Sequence, residues 1–551
     1  MKLNKYSLVI LSLTGGLLSG LAWSEVCTGL VLLISFVPFF IIGDHLCENS
    51  KRYTPNAYFL ILLPGLLLFS IIVMGWMRVA SMAGAIMVIT GLTVLMALTL
   101  WLAYIIRVRT GKIAGTLAVF SLWMSYELIS LNTFFISPWM NLGNGLAKDI
   151  FFIQWYEYTG TGGGTLWILL SNSLAAHIII RYTKGLKVRN QLVAWILLII
   201  IPSGFSAYRY LSVNENTEPS QEVLIIQPNT DPYTEKFVIP FKTQLQKVIK
   251  MASDQASPET DWIITPETTV DDPVNLTDLN NDKYILMLKG LTEGIPDATI
   301  VSGLVTYRQY TSKDAPPTKS AVKRDTSGYY SDHYNSAIRI DTGKTFEYYH
   351  KSKLVPGIER QLLGTSGKLV SRLLPYLGGT GWGYGWQNER TVLSHHIKNT
   401  KIAPVICYES VFGSFVTGFT RMGAGAIFIM TNDGWWKNTG GYRQHLNYAS
   451  TRAIENRRPV ARCGNTGISC FIDIRGKIRQ ETGWYQEAVV KGRIIPENRI
   501  TFYSLYGDYL YRISLFISIL IVLYTFVALP ARKKQKKSGT TMQPGGKVCV
   551  F

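Results

Sequence analysis

A thiol, a carboxylate and an ammonium each stand where a short apolar run of this chain stops. Cys407 ends the run that begins at Ala403 and is followed by Tyr408, Glu409 and Ser410. This is the pattern of a buried strand that delivers a nucleophile to a sheet edge and turns sharply. A cysteine reacts as its thiolate, so a nucleophilic Cys407 requires a base to take its proton and a cation to stabilise charge. Glu267, in Asp261-Trp-Ile-Ile-Thr-Pro-Glu, again stands where a strand meets a proline. Lys351 follows the apolar run near Phe346 to Tyr349. A glutamate serves as general base for a thiol, and an ammonium steadies the oxyanion of a tetrahedral intermediate. Taken singly, each residue is better explained as an inert buried cysteine or a solvated surface charge; their order and contexts together favour the reactive reading. Lys353, two residues beyond Lys351, shares its face on an extended segment, so alternation alone does not separate the two lysines.

The elements that position these groups follow from the polarity of the chain. Of 551 residues, 48% are hydrophobic and 17% charged, with 55 Lys and Arg against 36 Asp and Glu, a formal net charge of +19. Such a balance fits nucleic acid, anionic lipid or the basic loops of a membrane protein, and its distribution decides. Apolar stretches near the length a bilayer core requires run over Tyr6 to Trp23, Val26 to Ile42, Ala57 to Trp76, Ala83 to Ile106, Ala114 to Leu131, Leu166 to Ile180, Leu192 to Tyr208 and Ile513 to Leu529. Lys51 and Arg52; Arg107, Arg109 and Lys112; Arg181, Lys184, Lys187 and Arg189; and the cluster from Arg532 to Lys537 mark alternate loops. The positive-inside rule puts these loops in the cytoplasm and the long polar region on the outer face. Because the basic excess marks such loops, it fails as a nucleic-acid signal. The expected organisation is a seven-helix membrane domain over 1–210, an outer domain over 211–508, an eighth spanning helix over 509–531 and a basic cytoplasmic tail over 532–551 that reads as disordered.

Within the outer region, short apolar runs at Val223 to Gln227, Trp262 to Thr265, Thr299 to Val305, Ala337 to Ile340, Ile402 to Cys407, Ala426 to Met430 and Cys470 to Ile474 alternate with helix-like stretches such as Phe241 to Ala256. That alternation predicts an α/β domain with a largely buried sheet. Arg308 to Asp332, with Pro316 and Pro317, reads as an extended surface loop. The six cysteines lack metal-site spacing, so no metal or cofactor is expected. Cys463 and Cys470 flank a Gly-Asn-Thr-Gly turn; separate buried positions and a hairpin disulfide both fit.

Glu267, Lys351 and Cys407 lie in Pro-Glu-Thr, Lys-x-x-Leu-Val-Pro-x-x-Glu and Cys-Tyr-Glu, in that order. This set resembles the nitrilase (carbon-nitrogen hydrolase) superfamily, which implies a four-layer α-β-β-α sandwich. Such a domain between seven helices and one resembles the apolipoprotein N-acyltransferase family. Supporting segments are Gln227-Pro-Asn, Tyr334-Asn-Ser-Ala, Asn432-Asp-Gly-Trp-Trp, Gln444-His445, the run from Arg452 to Pro459, and Ser137-Pro-Trp139. The resemblance implies Glu267 as base, Lys351 as stabiliser of oxyanion and thiolate, and Cys407 as acyl carrier. It makes Glu359 and Glu409 supporting carboxylates and gives the Tyr408 amide to the oxyanion hole.

The reaction implied is transfer of an acyl chain from a membrane phospholipid, through a Cys407 thioester, to the amino group of a diacylglyceryl-cysteine apolipoprotein. The setting implied is the bacterial inner membrane, with the catalytic domain on the periplasmic face. Trp435 and Trp436 are candidates for a lipid entrance, with ordinary packing as the alternative. Two other functions share parts of the pattern: a membrane-anchored nitrilase-type amidase, and an inactive transporter or binding module. Eight spans exceed what anchoring requires, and a transporter calls for ionisable residues inside its spans, which are nearly absent.

Overall fold

The structure is a computed structural model that describes residues 3–215, 219–311, 317–323, 328–360 and 383–537, with side chains through residue 527. Seven helices among the described residues are long and apolar enough to cross a membrane, at Gly29–Glu48, Pro55–Val79, Met82–Thr110, Lys112–Asn132, Tyr156–Thr183, Arg189–Ser212 and Tyr509–Val527. The first predicted span is a shorter apolar helix, Lys5–Leu21, capped by Asn4, whose side chain accepts from Ser7 N at 2.8 Å. It lies directly on Pro55–Met74. A Cβ on Gly16 would meet Gly65 O at 1.9 Å, and one on Gly65 would meet Ser12 O at 2.0 Å, the small-residue contact by which helix backbones approach in lipid.

Two predicted spans differ in form. The second is broken at Phe36, between Leu32–Ser35 and Val37–Glu48. The side chain of Asn172 satisfies the break, accepting from Phe36 N at 2.7 Å and Val37 N at 3.0 Å and donating to Leu32 O at 2.6 Å. Backbone irregularity at membrane depth persists only with such partners. The sixth begins ten residues earlier than its apolar run, at Tyr156, and kinks at Gly160 (φ 58°, ψ −166°). The ring of Tyr503 would lie 2.3 Å from a Cβ there, so only glycine admits both the conformation and the contact. The last helix runs over Tyr509–Lys537, through the basic cluster assigned to the tail; residues 538–551 lie outside the described residues.

The region between is an α/β sandwich of two sheets. The first holds β1 (Gln221–Gln227), β2 (Thr260–Ile264), β3 (Val270–Asn275), β4 (Thr299–Gln309), β5 (Val322–Lys323), β6 (Tyr330–Ile340) and β7 (Glu347–His350). The second holds β8 (Leu393–Ser394), β9 (Lys401–Ile406), β10 (Ala424–Thr431), β11 (Val460–Gly464), β12 (Cys470–Ile472) and β13 (Ile478–Arg479). β14 (Ala488–Ile494) returns antiparallel to β1. The orders are β14-β1-β2-β4-β6-β5, with β3 on β4 and β7 on β6, and β13-β12-β11-β10-β9-β8. The strands that lead to Glu267 and Cys407 lie in parallel pairs, β2 with β1 and β4, and β9 with β10.

Alternation of side chains builds the layers. Val223, Ile225, Trp262 and Val301 join the core shared with Val405 and Ile427 of the second sheet, and the rings of Trp262 and Phe428 meet at 5.3 Å. Leu224, Ile226, Ile263 and Ile300 face outward onto Leu245 and Val248 of helix Phe241–Gln255 and onto Ile285 and Leu288 of helix Lys283–Glu293. Helices Gly413–Arg421 and Gly440–Asn456 cover the other sheet, and Gly440–Asn456 packs in turn on membrane helix Tyr156–Thr183. The result is the α-β-β-α order, with the helix layer of the second sheet against the membrane helices. The loop expected from Arg308 to Asp332 is narrower than predicted, because β4 and β6 pair out to Gln309↔Ser331. Cys463 and Cys470 are free. Cys470 stands opposite Arg462 in the β11–β12 hairpin, which turns the neighbouring Cys463 to the other face.

Candidate active site

Cys407 stands immediately after β9 with φ at +49° and starts a 3₁₀ turn over Cys407–Val411. A side chain held in the left-handed region at a strand end is a local strain that the surroundings must impose. Here the Cys407 carbonyl accepts from Ser410 Oγ at 2.9 Å and lies 3.1 Å from His445 Nε2. His445 Nδ1 is 3.0 Å from Asp433 Oδ1, and Arg462 pairs with the other carboxylate oxygen. Burial disfavours charge on Asp433, yet His445 and Arg462 hold its carboxyl down to about 2.

Glu267 lies three residues beyond β2, and its approach to β4 requires Gly303. A Cβ at Gly303 would sit 2.3 Å from Pro266 O and 2.8 Å from Glu267 Cα. Lys351 follows β7 directly, and its amide donates to Asn335 O at 2.8 Å. Its Nζ donates to Glu267 Oε1 at 2.9 Å and to Glu359 Oε1 at 2.8 Å. The Asn335 amide donates to the same two oxygens, at 2.8 and 3.1 Å. Asn432 N donates to Glu267 Oε2 at 3.1 Å, and Val355 N to Glu359 Oε2 at 2.8 Å. Lys351 is 1% exposed, and Glu267 and Cys407 are each 8% exposed.

Burial of this depth sets the electrostatics. It opposes the charge on Glu267, but Lys351, Asn335 and Lys236 outweigh it and keep the carboxyl below its ordinary value. Burial also opposes the Lys351 ammonium; Glu267, Glu359 and Cys407 overcome this and raise it well above its ordinary value. The Cys407 thiol is pushed well up by burial and by the Glu267 charge, with Lys351 acting against them. The resting state is therefore a neutral thiol beside a carboxylate and an ammonium, an arrangement in which proton removal accompanies attack.

Glu409 ties the lysine loop to the nucleophile turn. Its Oε1 accepts from Tyr349 OH at 2.5 Å, Ser352 N at 2.7 Å and Lys353 N at 3.2 Å, and its Oε2 from Ile406 N at 2.9 Å. Burial pushes its carboxyl up to about 7 against these donors. Tyr408 points toward the membrane helices, donating from its hydroxyl to Ser137 Oγ at 3.1 Å. Trp435 and Trp436 part company. Trp435 packs on Tyr233 and Phe237, whereas Trp436 packs on Trp76 and Trp139 at 4.7 and 5.7 Å. The lysines also separate, since Lys353 Nζ lies over the rings of Phe412 and Phe415, away from the carboxylates.

Comparison with known proteins gives these groups a context. Residues 15–174 match the apolipoprotein N-acyltransferase N-terminal domain, and residues 316–500 match the carbon-nitrogen hydrolase family. An apolipoprotein N-acyltransferase of Chlorobaculum tepidum is 27% identical over 537 residues, 94% of this chain and 96% of that protein. Over most of its length the chain is similar to apolipoprotein N-acyltransferases. Another apolipoprotein N-acyltransferase, from Geobacter metallireducens, is 27% identical over 73% of each chain. The crystal structure of Saccharomyces cerevisiae Nit3, of the nitrilase superfamily, aligns with a TM-score of 0.35 at 17% identity, covering 50% of this chain and 90% of Nit3. The chain's seven long apolar helices among the described residues, four of them within the matched N-terminal domain and a fifth overlapping its end, make it a membrane protein. The hydrolase match takes in Lys351, Glu359 and Cys407 but begins after Glu267, which joins them only through the fold.

Proposed function

We propose that the protein transfers an acyl chain from a membrane phospholipid to the α-amino group of a diacylglyceryl-cysteine lipoprotein, through a thioester on Cys407. In the first step the thiol sulfur bonds to the ester carbonyl carbon while Glu267 takes the thiol proton. The oxyanion is stabilised by the Lys351 ammonium and the Tyr408 amide. Collapse breaks the carbon–oxygen bond, and the departing lysophospholipid oxygen takes the proton back from Glu267. In the second step the neutral amine attacks the thioester carbonyl carbon, Glu267 takes a proton from the nitrogen, and collapse breaks the carbon–sulfur bond as that proton passes to sulfur, leaving the amide and the free Cys407 thiol. Residues 1–210 and 509–531 serve as the membrane part, 211–508 as the catalytic domain and 532–551 as a cytoplasmic tail.

The observation that carries this reading is that the nucleophile turn abuts the membrane helices. Tyr408 bonds Ser137, Trp139 Nε1 donates to Gln444 Oε1 at 2.6 Å, and Trp23 Nε1 donates to Tyr448 OH at 3.0 Å. Substrates that keep their chains in lipid then reach the thiol without extraction into water. Orientation with the catalytic domain on the periplasmic face of the inner membrane is supported by basic ends drawn together away from it. Arg107 pairs with Asp44 and Lys184 with Glu48, and Lys112 Nζ lies 3.1 Å from His177.

The test is intact-protein mass spectrometry of purified protein given phospholipid. One acyl group should appear on the wild type with about one lysophospholipid released per enzyme, the single-turnover burst of covalent catalysis. Cys407→Ala should gain none. A diacylglyceryl-cysteine peptide should discharge the acyl group as an N-acyl product. Steady release of free fatty acid without acceptor, as fast as turnover with it, would assign the protein to the anchored hydrolases instead.

A further inference from the structure

Beside the nucleophile turn lies a cleft of about 250 Å³, bounded by the outer end of helix Lys112–Asn132, the loop after Lys351, and Tyr408. Among the described residues, three cations line it. Lys353 Nζ lies 4.9 Å from the ring centre of Phe412, and Arg360 lies 4.0 Å from that of Trp386 and 4.3 Å from that of Phe134. Arg390 lies 4.5 Å from the ring centre of Phe415 and donates from Nε to Phe415 O at 3.3 Å. None of the three forms an ion pair among the described residues. Glu409 stands near, but its oxygens already accept from Tyr349, Ser352, Lys353 N and Ile406. Burial and the charges of Arg390 and Arg360 lower Lys353, as burial and Arg421 lower Arg390, with Glu409 and Asp508 acting against this at Lys353. Cations that repel one another in a half-buried cleft are stabilised by an anion.

Building on the acyl-transfer reading, we infer that this cleft binds the phosphate diester of the acyl-donor phospholipid, with Lys353, Arg360 and Arg390 as its ligands. Three features support a lipid phosphate over other anions. The wall at Thr133 and Phe134 ends a membrane helix, and the adjacent Phe135 is 67% exposed, as an aromatic side chain at headgroup level is. Tyr408 in the lining directly follows Cys407 in the chain, and the ester of a glycerophospholipid lies only a glycerol unit from its phosphate. Guanidinium groups match phosphate oxygens in bidentate fashion. Lys353 thus belongs to donor recognition, and Lys351 to the chemistry.

The test compares initial rates of acyl-Cys407 formation from a phospholipid and from a diacylglycerol with the same chains, both in detergent micelles. Wild type should prefer the phospholipid. Lys353→Met, Arg360→Gln and Arg390→Gln should each reduce that preference by roughly tenfold or more, the worth of one charge-assisted hydrogen bond. Arg360→Lys and Arg390→Lys should keep a large part of it. Preference that survives all three neutral substitutions, or falls equally in the lysine variants, overturns the inference. An equal change in rate with both donors on adding millimolar inorganic phosphate to wild type, absent in the neutral variants, also overturns it, by identifying a free anion as the ligand. No acyl-Cys407 from either donor would be a failure of the acyl-transfer reading itself, and is distinct from those outcomes.

Discussion

Replacing Lys351 with methionine removes one charge and strands two. Its Nζ donates to Glu267 at 2.9 Å and Glu359 at 2.8 Å, at a site where the lysine is 1% exposed. Methionine fills similar volume, so the cost is electrostatic: two buried carboxylates remain with the amides of Asn335, Asn432 and Val355 as their donors among the described residues. Removing one partner of such a buried set costs about 3–5 kcal/mol, or roughly 5–10 °C in thermal midpoint for a domain of this size. The pH dependence gives the argument its sign. In wild type Glu267 is held below its ordinary value, so its contribution is present above about pH 4.3 and disappears as pH falls through the folded value. Lys351 is held above its ordinary value, so its contribution is complete below about pH 10.4 and is lost only as pH rises through the folded value. Both are whole near neutrality. In the variant burial, no longer opposed by Lys351, raises Glu267, whose protonated form is tolerated, so stability is best at low pH and falls as pH rises through the raised value. The deficit relative to wild type should be widest near pH 8 and narrow toward pH 5. Thermal unfolding in detergent across that range reads the stability, and acyl loading at Cys407 should fall about 10²–10³-fold, as when one oxyanion-stabilising donor is removed. A deficit of equal size at both ends of the range, or loading within tenfold of wild type, would refute the placement of charge described above.

Glu409→Gln should cost roughly 1–3 kcal/mol, because its amide N–H₂ must face one of four donors. It should also flatten the pH profile of the thermal midpoint. Burial raises Glu409 to about 7, so in wild type its contribution is full below about pH 4.3 and declines as pH rises through about 7. Gly303→Ala should displace Glu267 through the 2.3 Å approach to Pro266 O, destabilise the domain by about 1–3 kcal/mol and slow acyl loading, as a mass-spectrometric time course would register. A reporter inserted near Asp254 should be active only outside the cytoplasm and one fused after Lys537 only inside; activity of the first within the cytoplasm would overturn the orientation.

Residue type and strand-end position were enough to single out Cys407, Glu267 and Lys351, because an apolar run that stops at a reactive group leaves its mark in the chain itself. The register of neighbouring strands leaves no such mark. Asn335 reaches two carboxylates because β6 pairs with β4 through Val305↔Asn335, a long-range alignment that the segment Tyr334-Asn-Ser-Ala does not announce. Lys236 is buried and paired with Asp271 at 3.2 Å, yet in sequence it is a lysine in a polar loop. The ambiguity between Lys351 and Lys353 resolves because β7 ends at His350, opposite Ser336. Beyond that point strict alternation no longer governs the side chains, and Ser352 N and Lys353 N turn to Glu409. The kink at Gly160 was hidden for a related reason, since glycines that admit a close ring from Tyr503 read in isolation as helix breakers.

Burial links the chemistry of the thiol to the fate of its ester. The features that push Cys407 up, little exposure and a neighbouring carboxylate, leave it a poor nucleophile toward stray electrophiles in water. They equally leave an acyl group on that sulfur with little access to water. In the proposed reaction activation comes with the substrate, whose carbonyl, once seated, would give Lys351 a developing negative charge to meet and let the thiol proton pass to Glu267 as the bond forms. On one side of the turn the aromatic stack of Trp76, Trp139 and Trp436 with His445 closes off solvent, and on the other Glu409 holds the lysine loop in place. In the proposed reaction an acceptor approaching from the membrane helices would therefore meet a thioester that water reaches slowly, and the balance between transfer and hydrolysis would be set by packing around Glu267, Lys351 and Cys407 more than by those residues themselves.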